Sequence, residues 1–249
     1  MRARTLFPLF FACAVAHAEP AAPDAFQRLF RLAGLDLLCD QSAPLVQRGL
    51  PEAQQARMAE LFAADGLCRD LARDVAAKLP EDQAREAERL LGSPLAQRFT
   101  DAERSVGEAN GDGLNAYRAQ LGERPPRPER LALVRRLDSA AHTTRLAALL
   151  RYEVGKTQAL LTLHGRGETL DEASLSARTA TQAEALQTSS ASAVESFMLY
   201  AYRQVPSDQL QAYAELYEQP AVKTLLDASL DAIPALFAER RARLEAPEP

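Results

Sequence analysis

Apolar positions along this chain recur every three to four residues and almost nowhere every two. Leu131, Val134, Leu137, Ala141, Leu149 and Leu160 fall near one helical stripe, and Ala173, Ala177, Ala180, Leu186, Val194 and Phe197 form a second. After residue 19 no stretch alternates β-branched with polar residues, while Ala, Leu, Arg, Glu and Gln dominate every long segment. The pattern predicts an all-α helical bundle, with helices over 24–38, 52–63, 67–78, 80–91, 94–107, 114–121, 129–163, 170–204, 206–217, 220–230 and 232–244. The two long segments are expected to pair as an antiparallel hairpin with arms of roughly 50 Å. "HGRG" at 164–167 stops the first arm: Gly165 suits a left-handed residue, and His164 puts a cation at the negative end of the helix dipole. "TLDE" opens the second arm, with Thr169 and Glu172 as a capping box.

Proline punctuates the chain twice in the same way. Pro80 and Pro94 lie 14 residues apart, as do Pro206 and Pro220, and the two pairs are offset by 126 residues. Laid together without a gap, the segments from Leu79 and Val205 share seven identities in 25 positions, namely Pro80/Pro206, Asp82/Asp208, Gln83/Gln209, Leu90/Leu216, Pro94/Pro220, Asp101/Asp227 and Ala102/Ala228. Proline is tolerated in a helix's first turn because its missing amide has no partner there. Each segment therefore reads as a bent pair of short helices, pseudo-repeated in the chain. Leu90, Leu91, Leu95 and Phe99, or Leu216, Tyr217, Val222 and Leu225, would line the inner face. One pair cannot cover its apolar side alone, so the copies either share a core or occupy two similar lobes. The strongest interruption is 107–129, with four glycines and three prolines, which separates an N-terminal half (19–106) from a C-terminal half (130–249). "GDG" at 111–113 lacks the further carboxylates of a calcium loop and reads as a turn.

The opening residues suggest export. Arg2 and Arg4 precede an apolar run from Leu6 to Val15, and Ala16-His17-Ala18 offers small residues before a cut at Glu19, so 1–18 reads as a signal peptide and the mature chain as periplasmic or secreted. Phe10-Phe11-Ala12 is a poor lipoprotein sequence in front of Cys13. No segment has the 20 or so apolar residues of a membrane span. With the leader removed, 29 Lys and Arg less Arg2 and Arg4 leave 27 against 34 Asp and Glu, a balance of −7, which argues against nucleic acid or an anionic membrane face as a partner. Cys39 and Cys68 remain as an even pair, and a disulfide between them is expected in an oxidising compartment. Two cysteines with the distant His142 and His164 do not make a zinc site, and no cofactor signature is present.

The segments "AERLLGSPLAQRFTDAE" and "LQAYAELYEQPAVKTLLDA" resemble the stretch that marks a widespread bacterial family of exported, all-helical proteins of unknown function, Leu-x-x-Phe-Tyr-x-Ser/Thr-Pro-x-Gly-Lys. Leu216, Tyr217, Pro220 and Lys223 match in the second copy, and Leu90, Leu91, Ser93 and Pro94 in the first. Ala221-Val222 and Leu95-Ala96 stand where glycine is usual. The resemblance implies periplasmic residence and no enzymatic role.

Two constellations merit weighing as chemistry. Asp138, Ser139 and His142 of "DSAAH" share a helix face, which would suit a hydrolase, but no Gly-x-Ser-x-Gly elbow accompanies them and an ordinary hydrogen bond accounts for the spacing. Tyr152, Tyr200, Tyr202, Tyr213 and Tyr217 all fall in the second half and are the candidate binding residues, as a tyrosine-lined groove for a peptide or small hydrophobic ligand, against the alternative that they fill the core. The expected function is non-catalytic: binding, or a structural role in the envelope, with another envelope protein or peptide as partner.

Overall fold

A computed structural model describes residues 26–108 and 112–245. The apolar leader with its cut after Ala18, Cys13, and Gly111 of the connector lie outside the described residues. Among the described residues thirteen helices follow one another: α1 (Phe26–Ala33), α2 (Leu35–Gln47), α3 (Glu52–Leu61), α4 (Ala64–Ala76), α5 (Glu81–Leu91), α6 (Pro94–Glu108), α7 (Asp112–Gln120), α8 (Pro128–Ala141), α9 (Thr143–His164), α10 (Glu172–Thr179), α11 (Gln182–Ala201), α12 (Ser207–Tyr217) and α13 (Pro220–Glu245). The all-α bundle expected from the periodicity is what forms. No helix among the described residues is long and apolar enough to cross a membrane.

The expected boundaries fail at places with local causes. Gly34, at φ 71°, breaks the first predicted helix, and α2 then continues through Pro44 to Gln47. The first hairpin arm divides at His142, a non-glycine residue at φ 54°, and histidine is among the side chains that enter this left-handed region more readily than most. Asp138 steadies the break by accepting from the Thr144 amide at 2.8 Å and its hydroxyl at 2.7 Å, supplying α9 with the start its own first residues lack. The second arm divides at Ala180-Thr181. Instead of arms near 50 Å, α9 with 22 residues and α11 with 20 span about 33 Å and 30 Å. They do run antiparallel, since Arg151 meets Ser189 while Gly155, further along α9, lies beside Gln182 at the start of α11.

Two details of that turn differ from expectation. Gly165 stays right-handed at φ −61°, and Gly167 is the left-handed residue. Gly167 N–H donates to His164 O and Glu168 N–H to Leu163 O, the Schellman pattern. The cap of α10 is Asp171, accepting from Ser174 N–H at 2.7 Å, not Thr169. Glu172 is thereby released from capping. This register leaves Ala173, Ala177 and Ala180 exposed and buries Leu175 and Thr179.

The two proline-begun segments adopt matching local structure. α5 and α12 each have 11 residues and start after a proline at φ −58°, ψ 149° or φ −57°, ψ 148°. At the bend, Gly92 N–H donates to Glu88 O and Ser93 N–H to Leu90 O. At the same offset of 126 residues, Glu218 N–H donates to Ala214 O and Gln219 N–H to Leu216 O. The same positions are buried in both: Ala84 and Leu210, Ala87 and Tyr213, Leu91 and Tyr217, Ala96 and Val222, Phe99 and Leu225. Side-chain size differs between the copies, and so do the neighbours: α5 packs on α13 and α1, whereas α12 packs chiefly on α8. The second helices differ in length. The predicted helices 220–230 and 232–244 are one: α13 runs without a break through Pro234 to Glu245, and packs on α4, α5, α8 and α9.

The core is one cluster to which both halves contribute, from Phe26, Phe30 and Phe62 to Val222, Ile233 and Phe237. Cys39 of α2 and Cys68 of α4 place their sulfurs 2.09 Å apart, at bonding distance, with Cα atoms 5.7 Å apart. Closing a loop across 29 residues stabilises by about 3.5 kcal/mol in the chain-entropy account. Replacing both cysteines with serine is expected to lower the unfolding free energy by that order, read from urea denaturation under oxidising conditions. A reductant should then affect the parent protein but not the variant.

Candidate functional site

The three residues considered for hydrolysis are drawn apart. Asp138 spends both carboxylate oxygens on Thr144. His142 directs Nε2 at Asp227, 2.9 Å away across on α13, and Lys223 holds the other oxygen of that carboxylate at 2.7 Å. Lys223 first and His142 second keep the Asp227 carboxyl below its ordinary value. Ser139 is exposed, and among the described residues no hydrogen bond joins it to His142. What the spacing of "DSAAH" encodes is a helix junction pinned to α13.

The five tyrosines do not line one groove. Tyr202, Tyr213 and Tyr217 are core residues, 1%, 3% and 9% exposed. Tyr213 stacks on Phe99 with centroids 3.9 Å apart, Tyr202 meets the same ring edge-on at 4.9 Å, and the Tyr213 and Tyr217 hydroxyls lie 3.3 Å apart. Tyr202 donates its hydroxyl hydrogen to Glu103, whose carboxyl burial pushes above its ordinary value. Burial also raises all three phenols, Tyr217 to about 12. Tyr200 sits elsewhere, under α7, between Tyr117 and the Arg203 guanidinium, which lies 3.9 Å from the ring centroid. A Cβ at Gly113 would fall 2.1 Å from the Tyr200 hydroxyl, so any side chain there requires the Tyr200 ring to move.

Tyr152 is placed differently. It lines a depression of about 440 Å³ between α9, α11 and α13. Ala148, Leu149, Leu230 and Pro234 give it an apolar floor, and Arg145, Gln187 and Asp231 give it a polar rim. Pro234 adds a feature hydrophobicity alone would not reveal: lacking an N–H, it deprives the Leu230 carbonyl of its helical donor, so a backbone acceptor is left beside the floor. Tyr152 is anchored at the far end of its ring, the hydroxyl lying 3.1 Å from Thr179 Oγ1 and 3.4 Å from the Ser176 carbonyl on α10. The ring wall is therefore held still. The sequence marked this tyrosine, but the remaining lining comes from three distant segments with no shared motif.

Behind Tyr152 lies a buried ionic cluster that sequence reading missed. Arg241 of α13 donates to Glu153 at 2.8 Å and to Glu172 at 2.9 and 2.7 Å, and Lys156 pairs with the same Glu172. Glu153 and Arg241 are each 2% exposed. Charges balance within the cluster, two acidic and two basic, as burial demands. Its only sequence trace is Glu153 and Lys156 interrupting the apolar stripe of α9. Among the described residues no group of three or more His, Cys, Asp or Glu side chains is placed to hold a metal ion. No family model, curated protein or solved structure matches this chain.

Proposed function

We propose that this is an exported, periplasmic binding protein without chemistry of its own, and that the groove beside Tyr152 holds an extended peptide segment of another envelope protein. The observation that carries the reading is the groove's mixture of surfaces. An apolar floor takes alternate side chains, while the Leu230 carbonyl and Asp231 can accept, and Arg145 and Gln187 can donate, along a peptide backbone. The basic leader, the Ala16-His17-Ala18 cut and the Cys39–Cys68 pair support export. The matched bends after Pro80 and Pro206 support reading the two segments as descendants of one duplicated unit.

A photo-crosslinking residue at exposed Ala183, on the groove's edge, tests this in the native envelope. A discrete adduct is expected, lost when Leu149→Arg places a charge on the floor and reduced about tenfold or more by Tyr152→Ala. If no adduct forms, or if Leu149→Arg leaves it unchanged, the groove is not the binding surface. Edman sequencing of the exported protein should begin at Glu19.

A further inference from the structure

A second cavity lies on the other side of α13, remote in sequence from the Tyr152 groove, and its chemistry is of another kind. It measures about 380 Å³ and is bounded by the start of α4 and the end of α13. Arg69, Arg240 and Arg243 line it, against two carboxylates, Glu60 and Asp70. Asp70 is shared, since Arg73 also pairs with it from outside the cavity. The lining is thus positive on balance despite the acidic character of the chain as a whole.

Arg240 is the informative residue. It is 2% exposed, and its Nη2 is committed to Asp70 and, at 3.3 Å, to the Gly66 carbonyl. Its Nε and Nη1 are buried and have no hydrogen-bond partner among the described residues. Buried donors without acceptors are costly, and for a guanidinium the cost is larger than for a neutral group. At the same place α4 begins at Ala64 after Ala63, with no side chain capping its first amides, and Ala63 and Gly66 both line the cavity. Asp65 sits in that first turn but caps none of its amides, and the positive dipole end beside three guanidiniums is arranged to receive further negative charge.

We infer that this cavity is an oxyanion site, built to take the dianion of a phosphate group: Arg240 supplies the inner donors, Arg69 and Arg243 close over it from the rim, and the first turn of α4 completes the cradle. Phosphate fits better than a single carboxylate because three arginines, with Asp70 partly neutralised by Arg73, leave more than one positive charge to be met. Glu60 is the one lining carboxylate without such a partner, and it selects against bulkier polyanions on its side of the cavity.

Inorganic phosphate is the probe, titrated calorimetrically into the whole mature chain at low ionic strength, where screening is least. Saturable binding of one phosphate per chain is expected, with a dissociation constant near or below about 1 mM, together with a phosphate-dependent rise in melting temperature. Arg69 and Arg243 are exposed, so the Arg69→Gln/Arg243→Gln protein should melt unchanged without phosphate but bind it at least about tenfold more weakly. Arg240→Lys, which keeps the charge but loses the fork, should weaken binding similarly. Co-sedimentation with phosphatidylglycerol vesicles, against phosphatidylcholine controls, separates the sources: vesicle binding lost in the double variant assigns the phosphate to a lipid headgroup, and phosphate binding without vesicle binding assigns it to a soluble phosphate compound. Absence of saturable phosphate binding, or equal affinity in parent and double variant, overturns the assignment.

Discussion

Arg241→Met is expected to destabilise the fold by about 3–5 kcal/mol, because it removes one partner from a buried ion pair and leaves the other stranded. Glu153 would keep only Lys156, 3.7 Å away, while remaining 2% exposed. Its carboxyl already lies above the ordinary 4.5 because burial outweighs the pull of Arg241, and losing that cation sends it higher. The sign with pH follows. A carboxyl whose folded pKa is raised disfavours the fold where it is ionised, so the deficit is full near neutrality. It shrinks as the pH falls through that raised value and is least below about 4.5, where Glu153 is protonated in both folded and unfolded chains. Urea unfolding followed by circular dichroism at pH 7 and pH 4 measures both. The double variant Arg241→Met/Glu153→Met should recover most of the loss, since Lys156 and Glu172 still neutralise one another. A double variant as weak as the single one would show that packing, not stranded charge, is responsible.

Phe99→Ala should cost about 3–5 kcal/mol, by loss of a fully buried aromatic side chain and the cavity left behind. The size of the effect comes from position. Phe99 belongs to α6, yet its ring stacks on Tyr213 of α12 and meets Tyr202 at the end of α11, so it joins the two proline-begun segments. The matching residue in the other segment is Leu225, so one site carries an aromatic bridge where its counterpart carries an aliphatic contact. Phe99→Leu is accordingly expected to be milder, retaining most of the volume while giving up about 0.5–1.5 kcal/mol of ring pairing. Hydrogen exchange gives the sharper reading: in Phe99→Ala, amides of both α6 and α12 should lose protection together. Loss confined to α6 would mean that the ring only fills its own helix's face.

Periodicity sufficed for the class of fold, and proline spacing for the bends at 92–93 and 218–219, because both signals are local. Errors arose where a long-range partner decides a local state. His142 reads as mid-helix until Asp227 on α13 holds its ring and Asp138 takes over the cap of α9. Asp231 reads as a break, but α13 is packed along its length by other helices and runs unbroken through it and through Pro234. At the candidate site, Tyr152 was visible as an aromatic residue on a helical face. Its separation from Tyr202, Tyr213 and Tyr217 depended on which helices they meet, which composition does not encode. The Arg241 cluster was hardest to foresee, since Glu153, Glu172 and Arg241 approach only when three helices are assembled.

The placement of α13 has a bearing on how this chain becomes a protein at all. As the spine against which α4, α5, α8, α9 and α12 settle, it is the last of the described helices in chain order. Before the stretch from Pro220 onward is made, α4, α5 and α9 lack the face they share, although pairs such as α8 with α12 and α9 with α11 can already form. Closure of the common core therefore waits for α13, and the helix pairs formed before it hold one another only locally.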